Sequence, residues 1–177
     1  MFALKYIKNN YCSCFRDINN IKTPNEEKLI IEKTEITKYL NSIGYSDTLP
    51  FVPPIDFGKV IKVYDGDTIT LAARLPNTLG PIYRFSVRLL GIDSPEIKGK
   101  TFKEKELAVI SRDILSQLIM GKIVYLRNVS MEKYGRILAD VYLGDLHVND
   151  WMLKNGYAIP YDGGTKHRPS EWDKESI

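Results

Sequence analysis

Two hydrophobic rhythms alternate along this chain, and the places where one replaces the other mark its elements. From Gly58 to Tyr64, Thr68 to Leu71, Tyr83 to Leu90, Lys122 to Arg127 and Ile137 to Leu143 the residues are β-branched, aromatic and alternating, which predicts five short strands. Asp65-Gly66 between the first two runs is a strong hairpin signal, and Leu75 to Pro81 reads as a longer loop before the third. In that third strand Arg84, Ser86 and Arg88 share one face while Phe85, Val87 and Leu89 share the other. Arg88 therefore emerges near the strand's end.

Between the third and fourth strands the helical period takes over. Thr101 to Met120 carries Leu107, Ile110, Ile114, Leu118 and Ile119 as an expected packing stripe, with Gly121 suited to end the helix. A short helix is expected from Val148 to Asn155, stopped by Gly156. Five strands with a helix inserted after the third predict an α+β fold built on a five-stranded OB-type β-barrel with two to three helices. Ahead of it, Thr23-Pro24-Asn25-Glu26 combines an N-cap, a proline at the first helical position and a capping-box glutamate. It predicts an N-terminal helical extension from Pro24 to Ser42, with Leu29, Ile36, Leu40 and Ile43 on one narrow apolar face against the main domain or a partner. The expected organisation is a basic, aromatic, flexible tail over 1–22, a helix within 23–45, a proline-rich linker over 46–56, the barrel domain over 57–172 and a tail over 173–177.

At 177 residues the chain suits one compact domain with an appendage. Its net charge of +3 looks unremarkable until it is divided. Residues 1–56 carry seven basic and seven acidic side chains, so the whole excess lies in the barrel segment. Between Lys98 and Arg136 nine basic residues face four acidic ones, a surplus suited to a polyanionic partner. No apolar run approaches the length of a membrane span. Lys5 and Lys8 interrupt the first residues, so no secretory signal is recognised and an intracellular location is expected. Cys12 and Cys14 stand too close for a good internal disulfide. With Lys5, Lys8 and Arg16 nearby they suggest a lipidation site for peripheral membrane contact; two incidental thiols in a loose tail is the plainer expectation.

Chemistry concentrates in three strings: Asp65-Gly66-Asp67-Thr68, Arg88 to Glu96, and Lys133-Tyr134-Gly135-Arg136. Asp67 and Asp93 are hard oxygen donors suited to Ca²⁺ or Mg²⁺, and the absence of a His/Cys cluster argues against zinc. Either aspartate is also good turn chemistry by itself. Glu96 is placed to hold or deprotonate a water, and Arg88 and Arg136 are able to clamp phosphoryl oxygens. Gly135 predicts a tight turn presenting Arg136, while Lys133 and Tyr134 suit a terminal phosphate and a nucleotide.

In this order the strings resemble the staphylococcal-nuclease-like, or thermonuclease, family, over about Gly58 to Trp172. The resemblance implies an OB-fold nuclease in which Asp67, Asp93 and the main-chain carbonyl of Ser94 bind Ca²⁺, with Mg²⁺ the poorer alternative. Glu96 would activate water, and Arg88 and Arg136 would stabilise the pentacoordinate phosphate. Cleavage of the 5′ P–O bond would leave 3′-phosphorylated products from DNA and RNA, single-stranded segments preferred, the protein acting as a monomer. Tyr161 is the expected counterpart of a nucleotide-pocket tyrosine. Ser94 stands where threonine is common, and Arg168 to Ile177 leaves room for at most a stub of the family's final helix. The alternative is a catalytically weak binding or scaffold module, which in this family typically lacks a carboxylate or arginine; all five positions are filled here.

Overall fold

The computed structural model describes residues 23–164 and 169–173; the expectations for the tail before Thr23, including Cys12 and Cys14, and for the last four residues lie outside the described residues. Two compact units divide between Leu49 and Pro50. In the first, helix α1 (Pro24–Leu40) opens with the expected reciprocal cap: Thr23 Oγ1 accepts from the Glu26 amide at 3.3 Å and Glu26 Oε2 accepts from the Thr23 amide at 2.8 Å. Leu29, Ile36 and Leu40 on its apolar side are half exposed or more. No described helix is long and apolar enough to cross a membrane.

The second unit holds β1 (Phe57–Asp65), β2 (Thr68–Ala73), β3 (Tyr83–Leu89), β4 (Ile92–Asp93), α2 (Phe102–Ile119), β5 (Ile123–Met131), β6 (Ile137–Leu143), β7 (Leu146–His147), α3 (Val148–Lys154), β8 (Ile159–Pro160) and α4 (Ser170–Asp173). Five of these strands run antiparallel in the order β3-β2-β1-β5-β6, and β3 then pairs in parallel with β6, Arg88 opposite Leu138. That last pairing closes the barrel and brings the end of β3 beside the start of β6. The fold is thus an OB-type α+β barrel. Alternation along the strands sends Val60, Ile69, Leu71, Val87, Leu89, Val124, Ala139 and Val141 inward, where none is exposed. Leu115 and Ile119 of α2 and Val148 and Met152 of α3 complete the core.

The helix inserted after β3 and β4 packs with a different face from the one its leucines and isoleucines predict. Its buried side chains are Glu104, Ala108, Ser111, Leu115 and Ile119. Ile110, central to the expected stripe, is 44 % exposed. The buried line lies roughly a quarter-turn around the helix from the predicted one. Small residues face the barrel because the β1–β2 hairpin comes close: a Cβ on Gly66 would overlap the Ser111 side chain. The hairpin itself turns one residue later than expected, with Gly66 and Asp67 as its loop and Asp65 paired with Thr68. Gly66 is there for space, not for a left-handed backbone.

Candidate active site

Asp67 sits at the tip of the β1–β2 hairpin, which is tied to the end of β3 by the Leu89 amide donating to the Asp67 carbonyl at 2.8 Å. Arg88 occupies the penultimate position of β3, and Asp93 closes the two-residue β4, whose pairing with β8 fixes it. Barrel closure brings the three together. Arg88 forks between the two acids, Nη1 to Asp67 Oδ2 and Nη2 to Asp93 Oδ1, each at 2.7 Å. Nη2 also donates to the Ile92 carbonyl at 3.2 Å. All three side chains are at least nine-tenths buried.

The network continues outward through Thr68, whose hydroxyl donates to Asp67 Oδ1 at 2.8 Å and accepts from Arg136 Nη1 at 3.4 Å. Arg136 follows a turn in which Gly135 adopts φ +80° and its amide donates to the Glu132 carbonyl at 2.9 Å, a conformation only glycine takes without strain. Glu132 grips the guanidinium with two bonds of 2.6 and 2.8 Å. The Ser94 amide donates to Asp67 Oδ2 at 3.3 Å.

These groups edge a cleft of about 890 Å³ whose wall includes Asp65, Asp67, Arg88, Ser94, Glu96, Lys133, Tyr134, Arg136 and Tyr161. Asp93 is not on that wall; it is buried and bonded to Arg88. Lys133 lies over the Tyr134 ring at 4.9 Å, with Tyr134 74 % exposed, and the Arg88 guanidinium lies 5.5 Å from the centre of the Tyr161 ring. Every candidate site residue read from the sequence therefore lines this one cleft except Asp93, which is joined to it through Arg88. Three that were passed over line or brace it too. Asp65 appears in the sequence only as a turn residue, yet it lines the cleft and accepts from the Asp67 amide at 3.4 Å. Glu132 holds Arg136 across the turn at Gly135. Asn149, buried, accepts from the Val141 amide and donates to the Leu90 and Ala139 carbonyls, stapling α3 to the end of β3 and the middle of β6. No local pattern announces that one.

Burial first, and the Asp65 carboxylate second, push Asp67 up to about 7 against the pull of Arg88. Arg88 is pulled down by burial, but Asp67 and Asp93 outweigh this and leave it above its ordinary value. Glu132 is lowered, chiefly by its hydrogen bond from Arg136. Crowding of carboxylates at Asp67 is what a bound cation would relieve, and the donors are the hard oxygens that Ca²⁺ and Mg²⁺ take. Among the described residues no three Asp, Glu, His or Cys side chains form a closed cage. An ion at Asp67 and Asp93 would need further oxygens from backbone or solvent, which leaves the site open to a substrate.

Comparison with known proteins follows the same lines. The family model described as staphylococcal nuclease homologue matches residues 86–175. An uncharacterized endonuclease of Escherichia coli is 30 % identical over 126 residues, covering 71 % of this chain and 74 % of the relative. One of Haemophilus influenzae is 35 % identical over 103 residues, 58 % of this chain and 51 % of the relative. A staphylococcal-like nuclease of Arabidopsis thaliana is 33 % identical over 94 residues, 52 % of this chain and 27 % of the relative.

Proposed function

The chain belongs to the staphylococcal nuclease homologue family, and from that premise we propose that it is a Ca²⁺-dependent endonuclease cleaving phosphodiester bonds of DNA and RNA. The observation that carries the reading is the Asp67–Arg88–Asp93 bridge at a cleft shared with Glu96 and Arg136. A phosphodiester resists attack because the incoming oxygen meets negative charge and more charge develops on the phosphoryl and leaving oxygens. Guanidinium groups fixed in a poorly solvated wall meet that charge without having to reorganise.

Asp67, Asp93 and the Ser94 carbonyl would hold the cation. When bound it supplies Lewis-acid charge against the phosphoryl oxygens and a site for a nucleophilic water. Glu96 on the cleft wall takes the proton from the attacking water. Arg88 and Arg136 bind the non-bridging oxygens, and Arg136, on the more open side, also faces the departing 5′ oxygen. Lys133 and Tyr134 receive a neighbouring phosphate and base, and Tyr161 closes the pocket beside Arg88. Rupture on the 5′ side leaves a 3′-phosphate. Single strands fit better than a duplex because Tyr134 offers a face for an unpaired base.

Incubating the protein with single-stranded DNA and with RNA, in Ca²⁺, in Mg²⁺ and in chelator, tests this. Cleavage in Ca²⁺ that stops with chelator and yields 3′-phosphate ends is expected. Absence of cleavage under every condition would defeat it.

A further inference from the structure

Glu104 is a buried carboxylate, 1 % exposed, at the third position of α2, and nothing above uses it. Thr101-Phe102-Lys103-Glu104 has the letters of a capping box. Half of that box is present: Thr101 Oγ1 accepts from the Glu104 amide at 3.0 Å. In α1 the corresponding glutamate, Glu26, closes back onto its own N-cap amide. Glu104 instead reaches past the N-cap. Its Oε2 accepts from the Lys100 amide at 3.0 Å, and its Oε1 faces the Glu96 amide at 3.5 Å.

Those two amides are the ends of a turn that the Gly99 amide closes by donating to the Glu96 carbonyl at 2.7 Å. Gly99 is itself shaped to the carboxylate, since a Cβ there would overlap Glu104. On the far side the Thr101 hydroxyl donates to the Trp172 carbonyl at 2.6 Å, so the C-terminal stub braces the same N-cap. A charge this deeply buried is costly unless hydrogen bonds and a helix N-terminus compensate it, and here both do. Both amide contacts act on the backbone of residues 96–100.

We propose that Glu104 is a positioning residue, its carboxylate clamping the Glu96–Lys100 turn so that the Glu96 side chain is held at the cleft. The inference rests on the role assigned to Glu96 under the proposed function. Glu104→Gln keeps the shape but offers one acceptor oxygen for two amides, so the Glu96 backbone drifts. A misplaced general base lowers turnover by roughly tenfold to a hundredfold, with substrate binding little changed.

The test is a double-mutant cycle of kcat and KM with Glu96→Gln, run on the full chain, together with amide hydrogen exchange at Glu96 and Lys100. Expected are a fall in kcat without a rise in KM, faster exchange at both amides, and no further loss of kcat when Glu104→Gln is added to Glu96→Gln. Gly99→Ala, which crowds the same carboxylate from the other side, should reproduce the pattern. Losses that multiply in the double variant, or unchanged exchange at both amides, would overturn the proposal. Should the unaltered protein fail to cleave, the functional reading falls, while exchange at the two amides still reports whether Glu104 holds the turn.

Discussion

Arg88 ties together two acids that would otherwise repel, and its removal leaves both buried without their shared counter-charge. Arg88→Met should therefore lower the stability of the metal-free protein by about 3–5 kcal/mol in denaturant unfolding, whereas an exposed ion pair would contribute under about 1 kcal/mol. Glu96→Gln and Arg136→Gln are expected to act on the reaction, each reducing turnover by roughly 100-fold, and the melting temperature of Glu96→Gln should stay close to that of the unaltered protein. The Glu132–Arg136 pair adds a pH signature. Glu132 is held below its ordinary 4.5, so its contribution to stability is complete above that value and is lost as pH falls through the lowered folded value. The stability gap between the unaltered protein and Arg136→Gln should be constant near neutrality and shrink below pH 4.5. Asp67, Arg88, Asp93, Glu96 and Arg136 were legible because each sits in a string whose chemistry is local. Asp65, Glu132, Glu104 and Asn149 were not, because their partners are set by turns and packing that the sequence does not display. The burial of Asp93 off the cleft wall is equally invisible to sequence.

Among the elements, legibility followed length. The capped α1, the inserted α2 and the five longer strands announce themselves by period, while β4, β7 and β8 are two residues each and too short to show one. Yet β4 carries Asp93 and its pairing with β8 positions Tyr161, so the briefest elements matter to the cleft. The buried face of α2 escapes the apolar pattern because Ala108, Ser111 and Glu104 are not conspicuously apolar; what selects them is the near approach of the hairpin and the turn before the helix. Gly66→Ala should force the hairpin or α2 to shift, costing about 1–3 kcal/mol as read by thermal unfolding, an overpacking penalty. Asn149→Leu should cost about 1–3 kcal/mol by the opposite route, leaving the Val141 amide and the Leu90 carbonyl short of a partner.

At the scale of the molecule, the hydrophobic core of the second unit is drawn, among the described residues, from Ile55 onward. A chain starting at Pro50 should keep both cooperative unfolding and cleavage; loss of cooperative unfolding would show that the first unit is needed for the barrel. The excess positive charge of the barrel segment makes substrate capture electrostatic, so KM should rise with added salt while kcat changes little. What joins these scales is the claim that Asp67 and Asp93, forked by one guanidinium here, share one divalent cation beside a phosphate-sized gap. Calorimetric titration with Ca²⁺ of the unaltered protein, Asp67→Asn and Asp93→Asn addresses it without depending on turnover. A single saturable site that both substitutions abolish is the result predicted; undiminished Ca²⁺ binding in either variant would contradict it.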